Sequence, residues 1–201
     1  MFYEPASRDR KSLPHDPFKA LVAPRPIGWI STKSRAGEIN LAPYSFFNAL
    51  AGEPPLIGFS SEGPKDSASF ARDSGEFVWN MATYELREAM NASAAAFSRG
   101  VNEFVAAGLE MAPCRIVKAP RVAASPCSLE CRVTEIFALK DVNGEPVGNI
   151  LTVGQVVGVH IDERFLHDGR FDLAAARTIV RCGYAGDYAL IERLFKLERP
   201  K

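Results

Sequence analysis

The sequence is poor in cysteine and histidine and carries no excess of either charge. It contains four cysteines and three histidines among 201 residues, and 24 basic side chains balance 24 acidic ones. A chain without a basic surplus lacks the charge that attracts nucleic acids or anionic membranes, so we expect neither as a partner. No CxxC pair and no HxH or HExxH spacing occurs. We therefore expect free thiols, no metal site, and a structural role for His160 at the end of a strand.

Long apolar runs are also missing. A membrane-spanning helix needs about 18 or more consecutive apolar residues, whereas the longest runs, 56–59 and 156–161, are short and contain glycine. The first residues do not show the apolar segment behind basic residues that marks a secretory signal. We therefore expect a soluble chain in the cytoplasm, a reducing compartment that disfavours disulfides.

Common nucleotide-binding signatures do not occur. The sequence has neither a GxxxxGK[ST] motif nor a GxGxxG motif behind a predicted strand, which excludes ordinary P-loop and Rossmann enzymes. Strands do not alternate with long helices, as parallel α/β folds require. No repeat and no linker divides the chain, so residues 1–201 are expected to form one domain.

Short β segments separated by turn signals dominate the chain instead. Residues 27–32 and 39–46 flank a glycine-bearing turn and predict a hairpin, and residues 142–145 predict a sharper one between two longer strands. Gly154 and Gly158 in the return strand predict bulges or bends of a barrel wall. These features predict a mainly β fold built as an antiparallel barrel.

Helical patterns occur in two places between the strands. Apolar residues recur every three or four positions around 85–107, which predicts a helical insertion of two short helices. A further short helix is predicted over 67–73, with Asp66 or Ser67 as its N-cap and Gly75 just beyond its end.

The turn in front of that short helix has the composition of an anion site. Ser60 and Ser61 end a predicted strand, a Gly-Pro turn follows, and Lys65 stands directly before the helix. The unpaired N–H groups and the dipole of a helix N-terminus attract anions. This combination favours a phosphate-binding turn, and the alternative is an ordinary capped turn with a solvated lysine.

The segment Asn40–Leu50 mixes aromatic residues with small polar ones instead of alternating cleanly. A planar heteroaromatic ligand needs such a mixture, because its faces require apolar contacts and its edge requires polar groups. The alternative is a pair of core phenylalanines at the end of a strand. Together with the anion turn, the segment favours a ligand with a ring at one end and a phosphate at the other.

The ordered succession of these motifs resembles the flavin reductase-like proteins with an FMN-binding split barrel, the group that includes flavoredoxin. The resemblance covers nearly the whole chain. It rests on the segments Pro24–Thr32, Asn40–Phe47, Pro54–Ser60, Lys65–Ser67, Gly75–Asn80, Asn102–Phe104, Ala107–Leu109, Ser128–Cys131, Gly154–Val157 and Arg181–Tyr184.

This resemblance implies an antiparallel split β-barrel that forms a homodimer, with FMN bound at or near the dimer interface. In the family pattern, Ser60, Lys65 and Ser67 hold the phosphate. The remaining implied contacts fall into three sets. They are Ser61 and Asp66 in the same turn; Ser45, Phe46, Phe47 and Asn48 beside the isoalloxazine; and Arg25 and Thr32 as further flavin or phosphate contacts.

A substrate pocket is expected beside the cofactor, formed by residues near both ends of the chain. Its candidate residues are Arg181, Tyr184 and His15, the last of which lies in an N-terminal arm over residues 1–20. No side chain is identified as a chemical catalyst.

The function that follows is an FMN-dependent oxidoreductase that passes hydride or electrons through the flavin, with NAD(P)H or a protein as electron donor. Two alternatives stay open. One is an FMN-binding electron carrier or sensor without turnover, and the other is a β-barrel interaction module without a cofactor.

Overall fold

The computed structural model describes residues 1–200. Its strands are β1 (Gly28–Lys33), β2 (Ile39–Tyr44), β3 (Phe47–Gly52), β4 (Pro55–Glu62), β5 (Glu76–Asn80), β6 (Met111–Ala112), β7 (Arg121–Val122), β8 (Cys127–Lys140), β9 (Pro146–Ile161), β10 (Leu166–His167), β11 (Arg170–Phe171), β12 (Ile179–Arg181) and β13 (Tyr188–Leu190). Its helices are α1 (Phe18–Leu21), α2 (Asp66–Ser74), α3 (Arg87–Ala92) and α4 (Glu103–Ala106), with short 3-10 helices at Pro5–Ser7 and Glu163–Phe165. None of the helices within residues 1–200 has the length and apolar character needed to cross a membrane.

Seven strands form one antiparallel sheet in the order β2-β1-β5-β8-β9-β4-β3. Its two edge strands, β2 and β3, follow each other in the chain with only Ser45 and Phe46 between them. The two edges must therefore meet at this corner, which rolls the sheet into a barrel that is split elsewhere. The predicted mainly β, antiparallel fold class is confirmed.

Both predicted hairpins are present. Strand β1 pairs with β2, and the long strands β8 and β9 are joined by a turn in which Asp141 Oδ1 accepts hydrogen bonds from the N–H groups of Asn143 and Glu145, both at 2.9 Å. The pairing of β8 with β9 is irregular beside Gly154 and Gly158, as predicted. A β-carbon at Gly154 would lie 2.4 Å from the buried Phe77 ring, so only glycine fits there.

The helical predictions are confirmed except at the N-terminus of α2. Helix α2 ends at Ser74, and Gly75 directly after it has a left-handed φ of 76°. The insertion contains the two short helices α3 and α4. Helix α2 starts at Asp66 and its N-cap is Lys65, so the prediction of Asp66 or Ser67 as N-cap is wrong. The predicted strand 39–46 is also interrupted, because the chain turns the barrel corner after Tyr44.

Two apolar clusters lie on opposite sides of the sheet. Successive residues of a strand face opposite sides, and in β1 Ile30 joins one cluster whereas Trp29 joins the other. The barrel cluster consists of Ile30, Ile57, Phe59, Ala71, Phe77 and Cys131. The insertion cluster consists of Ile27, Trp29, Leu41, Ala82, Met90, Phe104, Val122 and Ile179. The helical insertion therefore covers an apolar outer face of the sheet.

The buried carboxylate of Glu130 fastens the connection between β6 and β7 to β8. It accepts hydrogen bonds from the backbone N–H groups of Arg115 (2.8 Å), Ile116 (2.6 Å) and Val117 (2.8 Å), and it contacts His160 Nε2 at 2.6 Å. Burial raises the pKa of Glu130, but these donors outweigh that effect and lower the pKa to about 2. The carboxylate is therefore ionised in the folded protein.

All four cysteines are free thiols, as expected. Burial raises the pKa of Cys114 to about 12 and that of Cys127 to about 11, and it also raises the pKa of the fully buried Cys131. These thiols are therefore protonated near neutral pH and lack the thiolate character of a redox pair.

Candidate functional site

The barrel corner places the predicted aromatic segment beside the predicted anion turn. Phe47 pairs with Phe59 across β3 and β4, and the Ser60 N–H donates to the Phe46 carbonyl at 2.8 Å. The end of β4 continues directly into the turn that leads to α2. The two segments singled out from the sequence are therefore in contact, although several residues separate them along the chain.

The turn before α2 offers an exposed cation and an uncapped helix end. Lys65 is exposed, forms no ion pair within residues 1–200, and makes no side-chain capping hydrogen bond. Ser61 Oγ donates to the Gly63 carbonyl at 3.0 Å and shapes the turn, while Ser60 Oγ accepts from Asn149 Nδ2 at 3.3 Å. A helix end whose first N–H groups are uncapped, next to a lysine, has the chemistry of an anion site.

The negative charge of Asp66 opposes this positive potential, and an arginine of the helical insertion lies close to the Asp66 carboxylate. The Arg99 Nε atom lies 3.8 Å from Asp66 and 4.0 Å from Glu38, and its guanidinium group lies 5.5 Å from the centre of the Phe70 ring. These contacts are exposed and individually weak. They nevertheless place a second cation beside Lys65. No sequence motif marked Arg99.

Ser67 belongs to a buried polar network and does not face outwards. The Asn40 side-chain amide forms hydrogen bonds to two residues. Its oxygen accepts from Ser67 Oγ at 2.6 Å, and its nitrogen donates to Glu103 Oε1 at 3.2 Å. Glu103 Oε2 accepts from the Leu41 N–H at 3.0 Å. Ser67 is only 1% exposed. The network therefore joins the first turn of α2 to strand β2 and helix α4.

Tyr44 closes the inner side of the same region. Its ring packs against Phe59 with the ring centres 5.0 Å apart. Burial raises the pKa of Tyr44, and the hydroxyl groups of Ser67 and Ser61 oppose that rise. Tyr44 is therefore a neutral phenol behind the turn.

An open pocket of about 470 Å³ lies between the turn and the helical insertion. This volume is in the usual range for small-molecule sites. Of the predicted cofactor residues, it is lined by Lys65 and Asp66. The other lining residues are Asn40, Ala42, Pro43, Tyr44, Ser93, Ala94, Ala95, Ala96, Phe97, Arg99 and Glu103. Asn40, Ala42, Pro43 and Tyr44 belong to the segment that the sequence marked for ring binding, whereas no sequence feature assigned the lining residues of the helical insertion to the site.

The aromatic segment divides its side chains between the barrel interior and its surface. The Phe47 ring stacks on Trp79 at 5.9 Å and fills the space above Gly28, where a β-carbon would lie 2.8 Å from the ring. Phe46 lies beneath the Lys19 ammonium, 5.7 Å from it, and Asn48 is exposed. Ser45 is partly exposed at the corner itself. Phe46, Asn48 and Ser45 are therefore the accessible members of the predicted ring-binding segment.

Two predicted contacts, Thr32 and Arg25, do not line the open pocket. Thr32 is fully enclosed, and its hydroxyl group has no hydrogen-bond partner among the described residues. Arg25 is 6% exposed, and its guanidinium group donates to the carbonyl groups of Lys19 and Val22. Arg25 thus holds the N-terminal arm against the barrel.

The predicted substrate residues come together beside this arm. The His15 and Tyr184 rings meet edge to face with centres 5.8 Å apart. The backbone of Arg181 forms two hydrogen bonds of 2.9 Å with Arg25, and the Arg181 guanidinium group lies 4.5 Å from the centre of the Tyr188 ring. The N-terminal arm and the segment 181–188 are therefore neighbours.

The chain belongs to the flavin reductase family. The family model for the flavin reductase like domain matches residues 21–173, which include the barrel corner and the anion turn. The resemblance stated from the sequence motifs is confirmed.

Similar proteins and structures support this membership. Over 184 residues the chain is 37% identical to an uncharacterized protein of Halalkalibacterium halodurans, covering 89% of this chain and 87% of that protein. The structure of nitrilotriacetate monooxygenase component B from Bacillus cereus matches with a TM-score of 0.89 at 26% identity over 98% of each chain. Flavoredoxin of Desulfovibrio vulgaris shares the fold, with a TM-score of 0.77 at 17% identity over 88% of this chain and 91% of that chain.

The buried network predicts a specific pH dependence of stability. Burial raises the pKa of Glu103. The folded protein therefore binds this proton more tightly than the unfolded chain, and stability falls as the pH rises through the two pKa values. Glu103→Gln lacks this titration. We expect its free energy of unfolding, relative to wild type, to rise between about pH 4 and neutral pH in urea unfolding experiments.

Glu110→Gln serves as the matched control, because Glu110 is exposed just after the same helix. The Glu103→Gln difference should change with pH more than the Glu110→Gln difference does. A Glu103→Gln difference that does not change with pH would contradict the assigned effect of burial.

Proposed function

We propose that this protein binds FMN at the barrel corner and acts as a flavin-dependent oxidoreductase. The observation that carries the proposal is the hydrogen bond between the Ser60 N–H and the Phe46 carbonyl, which joins the aromatic segment to the anion turn. A flavin mononucleotide has a planar ring at one end and a phosphate at the other. The family membership supports the same cofactor class.

The residues around the turn fit the phosphate end of this cofactor. Lys65 and the first N–H groups of α2 would bind the phosphate, with Ser60 beside them. Ser61 shapes the turn through its hydrogen bond to Gly63. Ser67 would support the site indirectly. Its hydroxyl group hydrogen-bonds to the Asn40 amide and thereby fixes the start of α2. Asp66 requires Arg99 as a counter-charge, since an unpaired carboxylate would repel a phosphate.

We expect Ser45, Phe46 and Asn48 to contact the ring end, with Phe47 supporting them from inside the barrel. The bound flavin would supply the hydride and electron transfer. The chain itself contributes orientation, positive potential from Lys65 and α2, and an apolar surface at Phe46. This division of roles explains why no acid–base pair stands out in the sequence.

The N-terminal arm would limit access of water and define the substrate side. Lys19 covers Phe46, Arg25 holds the arm through two backbone carbonyl groups, and His15 contacts Tyr184. We propose that His15, Tyr184 and Arg181 contact the electron donor or acceptor, either NAD(P)H or a protein.

The phosphate contact can be tested by comparing FMN with riboflavin, which lacks the phosphate. Loss of a charge-assisted hydrogen bond costs about 1.5–3 kcal/mol, which is more than tenfold in affinity. Lys65→Ala should therefore weaken FMN binding more than tenfold in fluorescence titrations and leave riboflavin binding unchanged. Lys140→Ala, at an exposed position of the β8–β9 hairpin, is the control and should change neither affinity. Equal FMN affinity in wild type and Lys65→Ala would contradict the proposed site.

Anaerobic reduction distinguishes an enzyme from a carrier. We expect NADH or NADPH to bleach the visible absorbance of the FMN-loaded protein rapidly, which would also identify the donor. A flavin spectrum that persists with both nucleotides would instead favour an electron carrier supplied by another protein. Failure of the purified protein to bind FMN at all would favour an interaction module.

We also propose that the protein is a homodimer. The stretch 194–197 exposes Leu194, Phe195 and Leu197 at 62%, 83% and 86%, and Val159 on β9 is 58% exposed. Clustered exposed apolar side chains and open sheet edges favour a covering partner. Sedimentation at micromolar concentration should give about twice the chain mass of 22.0 kDa. A monomer under those conditions would contradict this proposal.

A further inference from the structure

Three metal-ligating side chains meet on the sheet at a place that the flavin site does not use. Cys114 lies between β6 and β7, Glu130 lies on β8, and His160 lies near the end of β9. The Cys114 sulfur, a Glu130 carboxylate oxygen and a His160 ring nitrogen all lie within 4.8 Å of one another. The sequence predicted no metal site, because these ligands come from three distant segments.

Hydrogen bonds hold the Glu130 carboxylate of this cluster in one orientation. Glu130 is 1% exposed, and its Oε2 atom accepts from the N–H groups of Ile116 and Val117. Its Oε1 atom accepts from the Arg115 N–H and lies 2.6 Å from His160 Nε2. The backbone therefore fixes Glu130 in position before any ligand binds, which lowers the cost of ordering a site.

The cluster is also accessible from outside. Glu130 and His160 line an open pocket of about 480 Å³, and the His160 side chain is 19% exposed. This pocket shares no lining residue with the pocket beside Lys65. A ligand could enter here while the flavin site is occupied.

We propose that Cys114, Glu130 and His160 bind Zn²⁺, with the fourth coordination position open to this pocket. A thiolate, an imidazole and a carboxylate are the ligands that zinc uses in proteins, and three protein ligands with an open position are typical of its reactive sites.

The zinc ion takes the place of the hydrogen between His160 Nε2 and Glu130 Oε1. In the zinc-bound state Nε2 carries no hydrogen and the imidazole hydrogen lies on Nδ1, while the Cys114 thiol proton leaves to solvent. Zinc bonds to nitrogen and oxygen are about 2.0–2.2 Å long, so in a tetrahedral site the Nε2 to Oε1 distance must widen from 2.6 Å to about 3.4 Å. The partly exposed imidazole is the group that moves, because the carboxylate is fixed.

Equilibrium dialysis of the 201-residue chain against Zn²⁺, followed by metal analysis, tests the proposal. Wild type should bind one Zn²⁺ per chain. Cys114→Ser and His160→Gln should each weaken binding at least about tenfold in competition with a chelator. Cys182→Ser is the matched control and should bind like wild type, since Cys182 is another free thiol outside the cluster. Zinc binding that is unchanged in Cys114→Ser, or no zinc bound by wild type, would overturn the proposal.

X-ray absorption on the zinc-loaded wild-type protein provides a second measurement that requires no variant. The expected spectrum shows one sulfur at about 2.3 Å, with the remaining ligands nitrogen or oxygen. A zinc ion without a sulfur ligand, or with two, would place it elsewhere and overturn the assignment. Neither measurement depends on the proposed flavin chemistry, so the two proposals can fail separately.

Discussion

The closure of the sheet at Ser45 and Phe46 is the constraint on which the candidate site depends. Strands β2 and β3 are the two edges of a seven-stranded sheet, and only these two residues separate them in the chain. Closure brings the Phe46 carbonyl to the Ser60 N–H. It thereby places an aromatic surface beside the end of β4, where the chain turns into α2. The closure of the barrel therefore creates a site that could bind a ligand with both a ring and an anionic group.

Two buried acidic side chains, Glu103 and Glu130, attach outer segments of the chain to the sheet. Glu103 accepts a backbone N–H from β2, and Glu130 accepts three from the connection before β7. A hydrogen bond to a charged group is worth about 1.5–3 kcal/mol, and a buried charge without partners is costly. Glu103 therefore fixes α4 on β2, and Glu130 fixes the connection between β6 and β7 on β8, in positions that apolar contacts alone do not specify.

Local signals in the sequence were sufficient for much of the fold. The β1–β2 and β8–β9 hairpins, the bulges beside Gly154 and the end of α2 at Gly75 all depend on nearby residues, so turn chemistry and periodicity predicted them. The anion turn was recognised for the same reason. Its residues are contiguous, and a lysine before a helix can be identified without knowledge of the tertiary structure.

Features that depend on distant contacts were not predicted. The inward orientation of Ser67 requires Asn40, and Arg99 reaches Asp66 only because the insertion folds back over β2. The enclosure of Thr32 follows from barrel closure. The grouping of Cys114, Glu130 and His160 depends on the pairing of β8 with β9 and on the hydrogen bonds from residues 115–117 to Glu130, which bring together residues with no common spacing in the sequence.

The network of Ser67, Asn40 and Glu103 has a consequence for how the molecule unfolds. It links the start of α2, strand β2 and the inserted helix α4, and the apolar cluster around Trp29 and Phe104 spans the same boundary. Undocking the insertion would leave a carboxylate, an amide and a hydroxyl group without partners at the same time. The insertion and the barrel therefore form one cooperative unit, and the chain cannot open its helical cover without losing the order of the turn beneath it.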